Sequence, residues 1–192
     1  MDKFLKKNVH SYDLDTMRAE QYIKAGKAVH GTDHAGNSLL HHLAGAYSSN
    51  TETLSQLVET YGMDVNARNV HGETSLHKAI RHDRVDTMGY LIKHSTDVNA
   101  RDKQGNTPLN IVGNFHFNRS GDDDKITIAQ ILLDRGVDAD HTNLFGYATL
   151  YCLAEDNMGR NMDLANLLID HGTDVNDGNF IIADGGDTVT IT

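Results

Sequence analysis

Histidine is the residue type with the widest chemical range in this chain, which contains twelve histidines and a single cysteine. Imidazole nitrogens and thiolate sulfurs bind zinc when several of them lie close together at short, fixed spacings. The histidines here are spread along the chain, and no cysteine-rich cluster accompanies them. The sequence therefore predicts structural histidines and no metal site.

Three consecutive aspartates, Asp122–Asp124, raise the alternative of a calcium loop. The helix-loop-helix calcium site alternates its ligands and ends in a bidentate glutamate, and this run does neither. We interpret residues 115–124 as a solvated loop inserted between two helices, without a bound metal. Long insertions in compact domains are often functional, so the role of the 114–124 segment stays open.

Catalytic motifs are missing from the sequence. There is no Gly-rich phosphate loop and no nucleophile elbow, and no pattern brings a serine, a histidine and an aspartate together. Cys152 lies beside Leu153 in a predicted helix, where a small packing residue is the expected role. We therefore predict no catalytic residue, no cofactor and no enzymatic activity.

The acidic composition restricts the class of partner. The chain has 27 Asp and Glu residues against 17 Lys and Arg residues, a formal net charge of −10. Nucleic acid is disfavoured because phosphate binding needs clustered Lys and Arg. No membrane association is expected, since no segment reaches the roughly 20 apolar residues of a bilayer span. The expected location is cytoplasmic, with the nucleus or delivery into a host cell as alternatives.

The elements that position these residues follow a repeated frame. A segment with glycine in its fourth position and leucine in its eighth begins at Asp33, Asn69, Asp102 and Asn143. Each copy continues into an apolar helical pattern and a closing phrase such as Asp97–Asn99. The starts are 36, 33 and 41 residues apart, and a period in this range is typical of a stacked repeat array.

The frame resembles the ankyrin repeat, whose signature is Thr-Pro-Leu-His-x-Ala. The second copy matches at Thr74, Leu76, His77 and Ala79, and the third matches at Thr107–Leu109. The resemblance implies an all-α repeat solenoid, an ankyrin array of stacked helix-turn-helix units with β-hairpin fingers. It also implies that the motif histidine hydrogen-bonds neighbouring backbone and ties adjacent repeats together.

The predicted array covers residues 1–179. Residues 1–32 look like a degenerate N-terminal cap repeat, and the repeats that follow are 33–68, 69–101, 102–142 and 143–178. Residues 179–192 read as a β-hairpin-like tail. This tail could cover the preceding helix pair, could be an adhesive extension, or could mark a truncation at a repeat boundary.

Local rules predict how one repeat is built. Gly72 can take the positive φ of a tight turn, and the Thr74 hydroxyl can cap the helix that follows. Leu76 and Ile80 then place an apolar stripe on that helix. The helix is expected to end near His82.

By resemblance, such an array is a non-enzymatic scaffold that binds another protein through its turn tips and its concave groove. The chain is expected to be a monomer. The implied partner-binding residues are His34, Ala35, Asn37, Val70, His71, Glu73, Lys103, Gln104, Asn106, Leu144, Phe145 and Tyr147 at the tips, and Arg81, His82, Asn114, Phe115 and Glu155 at inner helix ends.

Two classes of function stay open. The first is a stand-alone adaptor or inhibitor, since small arrays resemble cytoplasmic inhibitors of Rel-type transcription factors, their viral mimics, and effectors secreted by intracellular bacteria. The second is an architectural fragment of a larger ankyrin protein, with no function alone.

Two surface features lead to further expectations. Arg68, Arg81, Arg101 and Lys103 predict a basic groove suited to an acidic segment of the partner. The tip pair Leu144–Phe145 is apolar, and leaving apolar area in water forgoes roughly 25 cal/mol per Å². The pair could pack under the tail, anchor the partner, or simply be tolerated.

Overall fold

The computed structural model describes residues 29–46, 51–94, 96–114, 122–155, 162–174, 181–184 and 187–190. It divides the chain into two compact units, residues 1–103 and residues 104–192. Most of the predicted cap repeat and most of the predicted insert lie outside the described residues. Each unit is considered by itself below.

Unit 1 consists of helix pairs. Its helices are α1 Leu39–Gly45, α2 Thr51–Ser55, the π-helix π1 Gln56–Thr60, α3 Ser75–Arg81 and α4 Val85–Lys93. Helix α1 packs against α3, α3 against α4, and α2 against α4. First helices therefore adjoin first helices and second helices adjoin second helices, which is the contact pattern of stacked repeats.

Unit 2 follows the same plan. Its elements are α5 Pro108–Asn114, α6 Asp122–Asp134, α7 Thr149–Glu155, α8 Met162–Asp170, β1 Ile181–Asp184 and β2 Asp187–Thr190. Helix α5 packs against α6 and α7, and α8 packs against α6 and α7. Strands β1 and β2 pair antiparallel, with Ile181 opposite Thr190, in the segment for which the sequence predicts a hairpin.

The core is aliphatic and in register with the repeated frame. The leucine in the eighth frame position is at most 3% exposed in all four copies: Leu40, Leu76, Leu109 and Leu150. Burying one such side chain stabilises the fold by about 1.5–3 kcal/mol. Cys152 is buried in the same helix as Leu150, which confirms its predicted packing role.

The helix boundaries agree with the expected capping residues and correct one expectation. Thr74 has extended backbone just before α3, and α5 begins at Pro108, where a missing N–H costs little. Helix α3 ends at Arg81 with His82 as its C-cap, and Asp83 then takes a φ of 56°. Asp122–Asp124 were expected to precede a helix, but they form the first turn of α6. Negative charge there is favoured by the helix dipole.

The turns are joined to each other by a ladder of backbone hydrogen bonds. Each turn glycine has positive φ, for example 75° at Gly72 and 80° at Gly105. A Cβ on Gly105 would lie only 2.9 Å from the Leu144 nitrogen, so glycine permits this close approach. The ladder bonds run from Val70 N–H to Ala35 O (2.8 Å), from Lys103 N–H to His71 O (2.8 Å), and from Leu144 N–H to Gln104 O (2.9 Å).

We expect Gly105→Ala to destabilise the protein more than Gly146→Ala. Both glycines have a φ of 80°, so both variants carry left-handed strain of about 1–2 kcal/mol. Only Gly105 has the backbone of the following turn against its added Cβ, while no described atom lies within 4 Å at Gly146. That collision should cost about 1–3 kcal/mol more. Urea unfolding of the two variants measures the difference, and equal losses would show that the turns do not stack tightly.

Candidate protein interface

The first residue of three frame copies, Asp33, Asn69 and Asn143, holds its turn rigid. The Asn69 carboxamide oxygen accepts the backbone N–H groups of His71 and Glu73 at 2.9 and 3.0 Å. Asn143 does the same for Phe145 and Tyr147, also at 2.9 and 3.0 Å. Asp and Asn favour such turns because their short side chains reach the backbone two residues on. The tips are therefore fixed before any partner arrives.

A buried histidine joins each repeat to its neighbour in unit 1. The Ser38 backbone N–H donates to His41 Nδ1 at 3.2 Å, and the Ser38 hydroxyl lies 2.8 Å from the same nitrogen. Because Nδ1 accepts, Nε2 carries the proton and donates to the Glu73 carbonyl oxygen at 3.1 Å. The predicted bridging role is confirmed at His41. His77 makes the same cap contacts with Thr74, at 3.2 and 2.8 Å.

In unit 2 an asparagine takes the place of that histidine. The Asn110 carboxamide oxygen accepts the Thr107 N–H and hydroxyl, both at 3.0 Å. Its NH₂ group donates to the His141 carbonyl at 3.1 Å and to the Thr149 hydroxyl at 3.0 Å. Sequence reasoning missed Asn110, although its position in the frame aligns with His41 and could have identified it.

The fourth frame copy replaces this polar pair with aromatic contacts. Ala148 stands where the other copies have Ser or Thr, and Tyr151 stands where they have His or Asn. The Tyr151 ring stacks on Tyr147 with centroids 4.5 Å apart, and Tyr147 lies 6.3 Å from Phe145. Phe145 and the neighbouring Leu144 are 66% and 78% exposed. The tail that could cover this pair has no described side chains, so that alternative lies outside the described residues.

The structure places most of the sequence-predicted contact residues at the surface. Exposed members are His34, Val70, His71, Lys103, Gln104, Asn114, Leu144, Phe145 and Tyr147, and half-buried members are Ala35, Asn37, Arg81, His82 and Asn106. Phe115 lies outside the described residues. Glu155 lies at the end of α7, but the position of its side chain is not described.

Glu73 and Arg81 are occupied within the protein, which changes two expectations. Glu73 is buried and lies 2.9 Å from Arg81, so its carboxylate is turned to its own repeat and not to a partner. Arg81 also lies 3.0 Å from the buried carboxylate of Asp102. Two carboxylates thus neutralise the central cation of the predicted basic groove. Another of its members, Arg68, donates to the Arg101 carbonyl at 2.7 Å.

The pKa shifts follow these contacts. Burial acts to raise the pKa of Glu73, but the hydrogen bond from Asn69 and the charges of Lys78 and Arg81 together outweigh it, and the pKa lies below its usual value. Burial is also the main cause of the lowered pKa of His41. Glu73 is thus held ionised and His41 neutral in the folded protein.

The described residues hold no group of three His, Cys, Asp or Glu side chains that could bind a metal ion. His30 and His34 are four residues apart and both are exposed, but among the described residues they belong to no such group of three. None of the described helices combines the length and the apolar character that a bilayer crossing requires.

The net charge is distributed unequally between the two units. Residues 1–103 contain 13 Lys and Arg residues and 13 Asp and Glu residues, whereas residues 104–192 contain four and 14. The whole net charge of −10 therefore belongs to unit 2. All four cations of the predicted basic groove lie in unit 1, whereas the acidic excess lies in unit 2.

Stacked helix pairs, a ladder of glycine turns and bridging side chains at His41 and Asn110 define a repeat scaffold. Residues 17–102 match the family model for ankyrin repeats, in three copies. This part of the chain therefore consists of ankyrin repeats, and the predicted fold class, an all-α repeat solenoid, is confirmed. Ankyrin repeats generally mediate protein–protein interaction and are not typically enzymatic.

The chain is similar to several curated proteins over part of its length. An ankyrin repeat protein of Rickettsia bellii is 27% identical over 130 residues, covering 66% of this chain and 35% of that protein. An ankyrin repeat protein of Acanthamoeba polyphaga mimivirus is 29% identical over 125 residues, or 62% of this chain and 15% of that protein. Alpha-latrocrustotoxin-Lt1a of Latrodectus tredecimguttatus is 37% identical over 62 residues, or 32% of this chain and 4% of the toxin. The chain therefore spans only a minor part of these relatives.

We expect Arg81→Ala to lower stability by about 1–3 kcal/mol, because it leaves the carboxylates of Glu73 and Asp102 without their common cation. Lys103→Ala removes an exposed cation of the same predicted groove and should change stability by less than about 0.5 kcal/mol. Chemical unfolding of both variants provides the comparison. Equal losses of stability in the two variants would show that Arg81 contributes no more to stability than an exposed surface charge.

The lowered pKa of His41 predicts a loss of stability in mild acid. Its usual value is 6.5, so the unfolded chain takes up a proton below about pH 6.5 while the folded chain resists it. Stability should be constant above that pH and fall between about pH 6.5 and 5, by up to about 1.4 kcal/mol per pH unit from this group. Melting temperatures recorded from pH 8 to pH 5 would show the fall.

The matched control is His41→Asn, because Asn110 makes the same two kinds of contact without an ionisable group. This variant should fold and should have a shallower pH dependence than the wild type. The lowered pKa values of His42 and His82 leave part of the slope in place. An unchanged slope in His41→Asn would show that His41 is not responsible.

Proposed function

We propose that this protein is a non-enzymatic interaction scaffold that acts as an adaptor or inhibitor by covering a surface of its partner. The observation that carries the proposal is a row of exposed turn tips, each fixed by its own frame residue and by the adjacent turn. Val70 and His71 form one tip of unit 1, and Lys103 begins the next.

Rigidity is what makes these tips suitable for binding. A loop that is ordered beforehand loses little conformational entropy on association, so more of the contact energy is available as affinity. The turn at Asn69 satisfies its own backbone groups through Asn69 and through the ladder bonds. The backbone of Val70 and His71 is therefore held in place, and none of the described contacts that stabilise the fold uses their side chains.

The boundaries proposed for the array remain residues 1–179, with repeats at 33–68, 69–101, 102–142 and 143–178. We place the protein in the cytoplasm as a monomer that binds a protein partner. A host-directed role, in which the chain mimics an inhibitor of the Rel-type class or acts as an effector, is the second candidate. The relatives in Rickettsia bellii and in a mimivirus of Acanthamoeba favour it.

Site-directed photo-crosslinking tests the proposed binding face. A photo-reactive amino acid at His71 or Lys103 should crosslink to a discrete partner in cell extract, because both side chains are exposed at the tips. The same amino acid at Asp86 or Lys93, exposed on helix α4, is the matched control and should not. All four variants should melt like the wild type. Crosslinks from α4 alone, or from none of the positions, would refute a tip-mediated scaffold.

A further inference from the structure

The geometry points to a docking surface on unit 2 for an extended, Lys- or Arg-rich peptide segment that carries apolar side chains. This surface comprises the apolar tip Leu144 and Phe145 with the stacked rings of Tyr147 and Tyr151, and we call it the aromatic tip. The inference rests on the proposed scaffold function and names the chemistry of the partner.

The aromatic tip is the largest exposed apolar feature of the described residues. Five large hydrophobic side chains are exposed among all the described residues, and three of these five, Leu144, Phe145 and Tyr147, lie on this one turn. An exposed apolar patch of this kind on a soluble protein usually marks an interaction site. Aromatic side chains are also the residues most often found at the centre of interfaces.

Hydrogen bonds hold the aromatic tip rigid, which distinguishes it from a flexible loop that merely contains apolar residues. Asn143 holds the backbone N–H groups of Phe145 and Tyr147, and its NH₂ group donates to Asn106 at 2.9 Å. The Leu144 N–H donates to the Gln104 carbonyl. Phe145 is therefore exposed although its turn is firmly fixed.

The backbone at the tip continues the turn ladder. In the other copies the second tip residue gives its carbonyl oxygen to the N–H of the following turn, as Ala35 and His71 do. Phe145 occupies that position, and no described residue donates to its carbonyl oxygen. Gly146 likewise has no described neighbour within 4 Å of a built Cβ. Residues 175–180, which follow this repeat, lie outside the described part of the chain. In the proposed complex an extended peptide adds its N–H to the Phe145 carbonyl oxygen while a side chain covers the rings, a form of strand addition.

The charge of unit 2 selects the sign of the partner. Residues 104–192 have 14 acidic and four basic side chains. The described part of unit 2 has one exposed cation, Arg135, and six exposed aspartates: Asp134, Asp138, Asp140, Asp163, Asp170 and Asp174. Asp138 and Asp140 lie on the segment that leads into the aromatic tip. A field of this sign accelerates the approach of a cationic segment and repels an acidic one.

Fluorescence anisotropy with defined peptides tests the inference on the full chain. The probe is a labelled, end-capped octapeptide in which Lys alternates with Val, Leu and Phe, so that one face is cationic and the other apolar. Two control peptides replace either every Lys by Glu or every apolar residue by Ser. We expect the probe to bind at least about tenfold more tightly than either control, which corresponds to about 1.4 kcal/mol. Its affinity should fall when salt is raised from about 0.05 to 0.3 M.

Protein variants then locate the site. The double variant Leu144→Ser/Phe145→Ser should weaken binding of the probe about tenfold or more and leave the melting temperature unchanged, because both side chains are exposed. Val70→Ser alters the equivalent tip position of unit 1 and should change affinity by less than about twofold. If the Val70 variant loses as much affinity as the double variant, the aromatic tip is not the site.

Three further outcomes would also overturn the inference. Equal binding of the probe and the Lys-Ser peptide would leave only non-specific charge attraction and would overturn the proposal. Sedimentation showing self-association that the double variant abolishes would assign the tip to a second copy of the chain and would overturn it too. If the probe peptide does not bind while crosslinks at His71 persist, this inference is wrong and the scaffold function stands. If the probe does not bind and no crosslink forms at His71, both proposals are wrong.

Discussion

The structure depends on a buried side chain that caps one helix and bonds to the next repeat at the same time. His41 accepts from Ser38 and donates to the Glu73 carbonyl, and Asn110 accepts from Thr107 and donates to the His141 carbonyl. A buried polar group left without its partner costs about 1–3 kcal/mol. At these two positions the neighbouring repeat supplies the acceptor that the capping side chain needs, and stability is shared across the boundary as well as within the apolar core. This is why short helices, seven residues in α1, α3, α5 and α7, remain ordered although isolated helices of that length would not.

The same constraint separates the residues that build the protein from those free to bind. Glu73, Arg81 and Asn69 sit at positions close to the tips, but their side chains are used in hydrogen bonds and ion pairs inside the repeats. Val70, His71 and Phe145 project from turns that Asn69 and Asn143 hold in place. A charged residue near the groove is thus a poor guide to a partner unless its internal contacts are known, and Arg81 illustrates the point because two carboxylates compensate its charge.

Much of the fold follows from the sequence because its rules are local. The glycine with positive φ, the Ser or Thr before a helix and the leucine eight residues into the frame each act within a few residues, and Gly72, Thr74 and Leu76 all lie where they were expected. The ion pair between Arg81 and Asp102 spans 21 residues, and the burial of Glu73 depends on the repeat before it; neither is visible in a local pattern. The start of α6 at Asp122 was missed because three consecutive acids read as a loop, although they suit a helix N-terminus. The partner-binding residues themselves stay predictions, since surface exposure is necessary for contact but does not identify it.

Helix π1 shows where this architecture can accept changes in length. Residues 56–60 wind with wider hydrogen bonds than an α-helix, in the repeat whose frame is 36 residues long where the next is 33. The other long repeat places seven residues between α5 and α6 where α3 and α4 are separated by three. In both cases the added length falls outside the turn ladder and the bridging side chain. Protein engineers who wish to graft a recognition loop or a reporter peptide into this chain should therefore choose residues 56–60 or the segment between α5 and α6. An insertion at either place leaves the register of the stack intact.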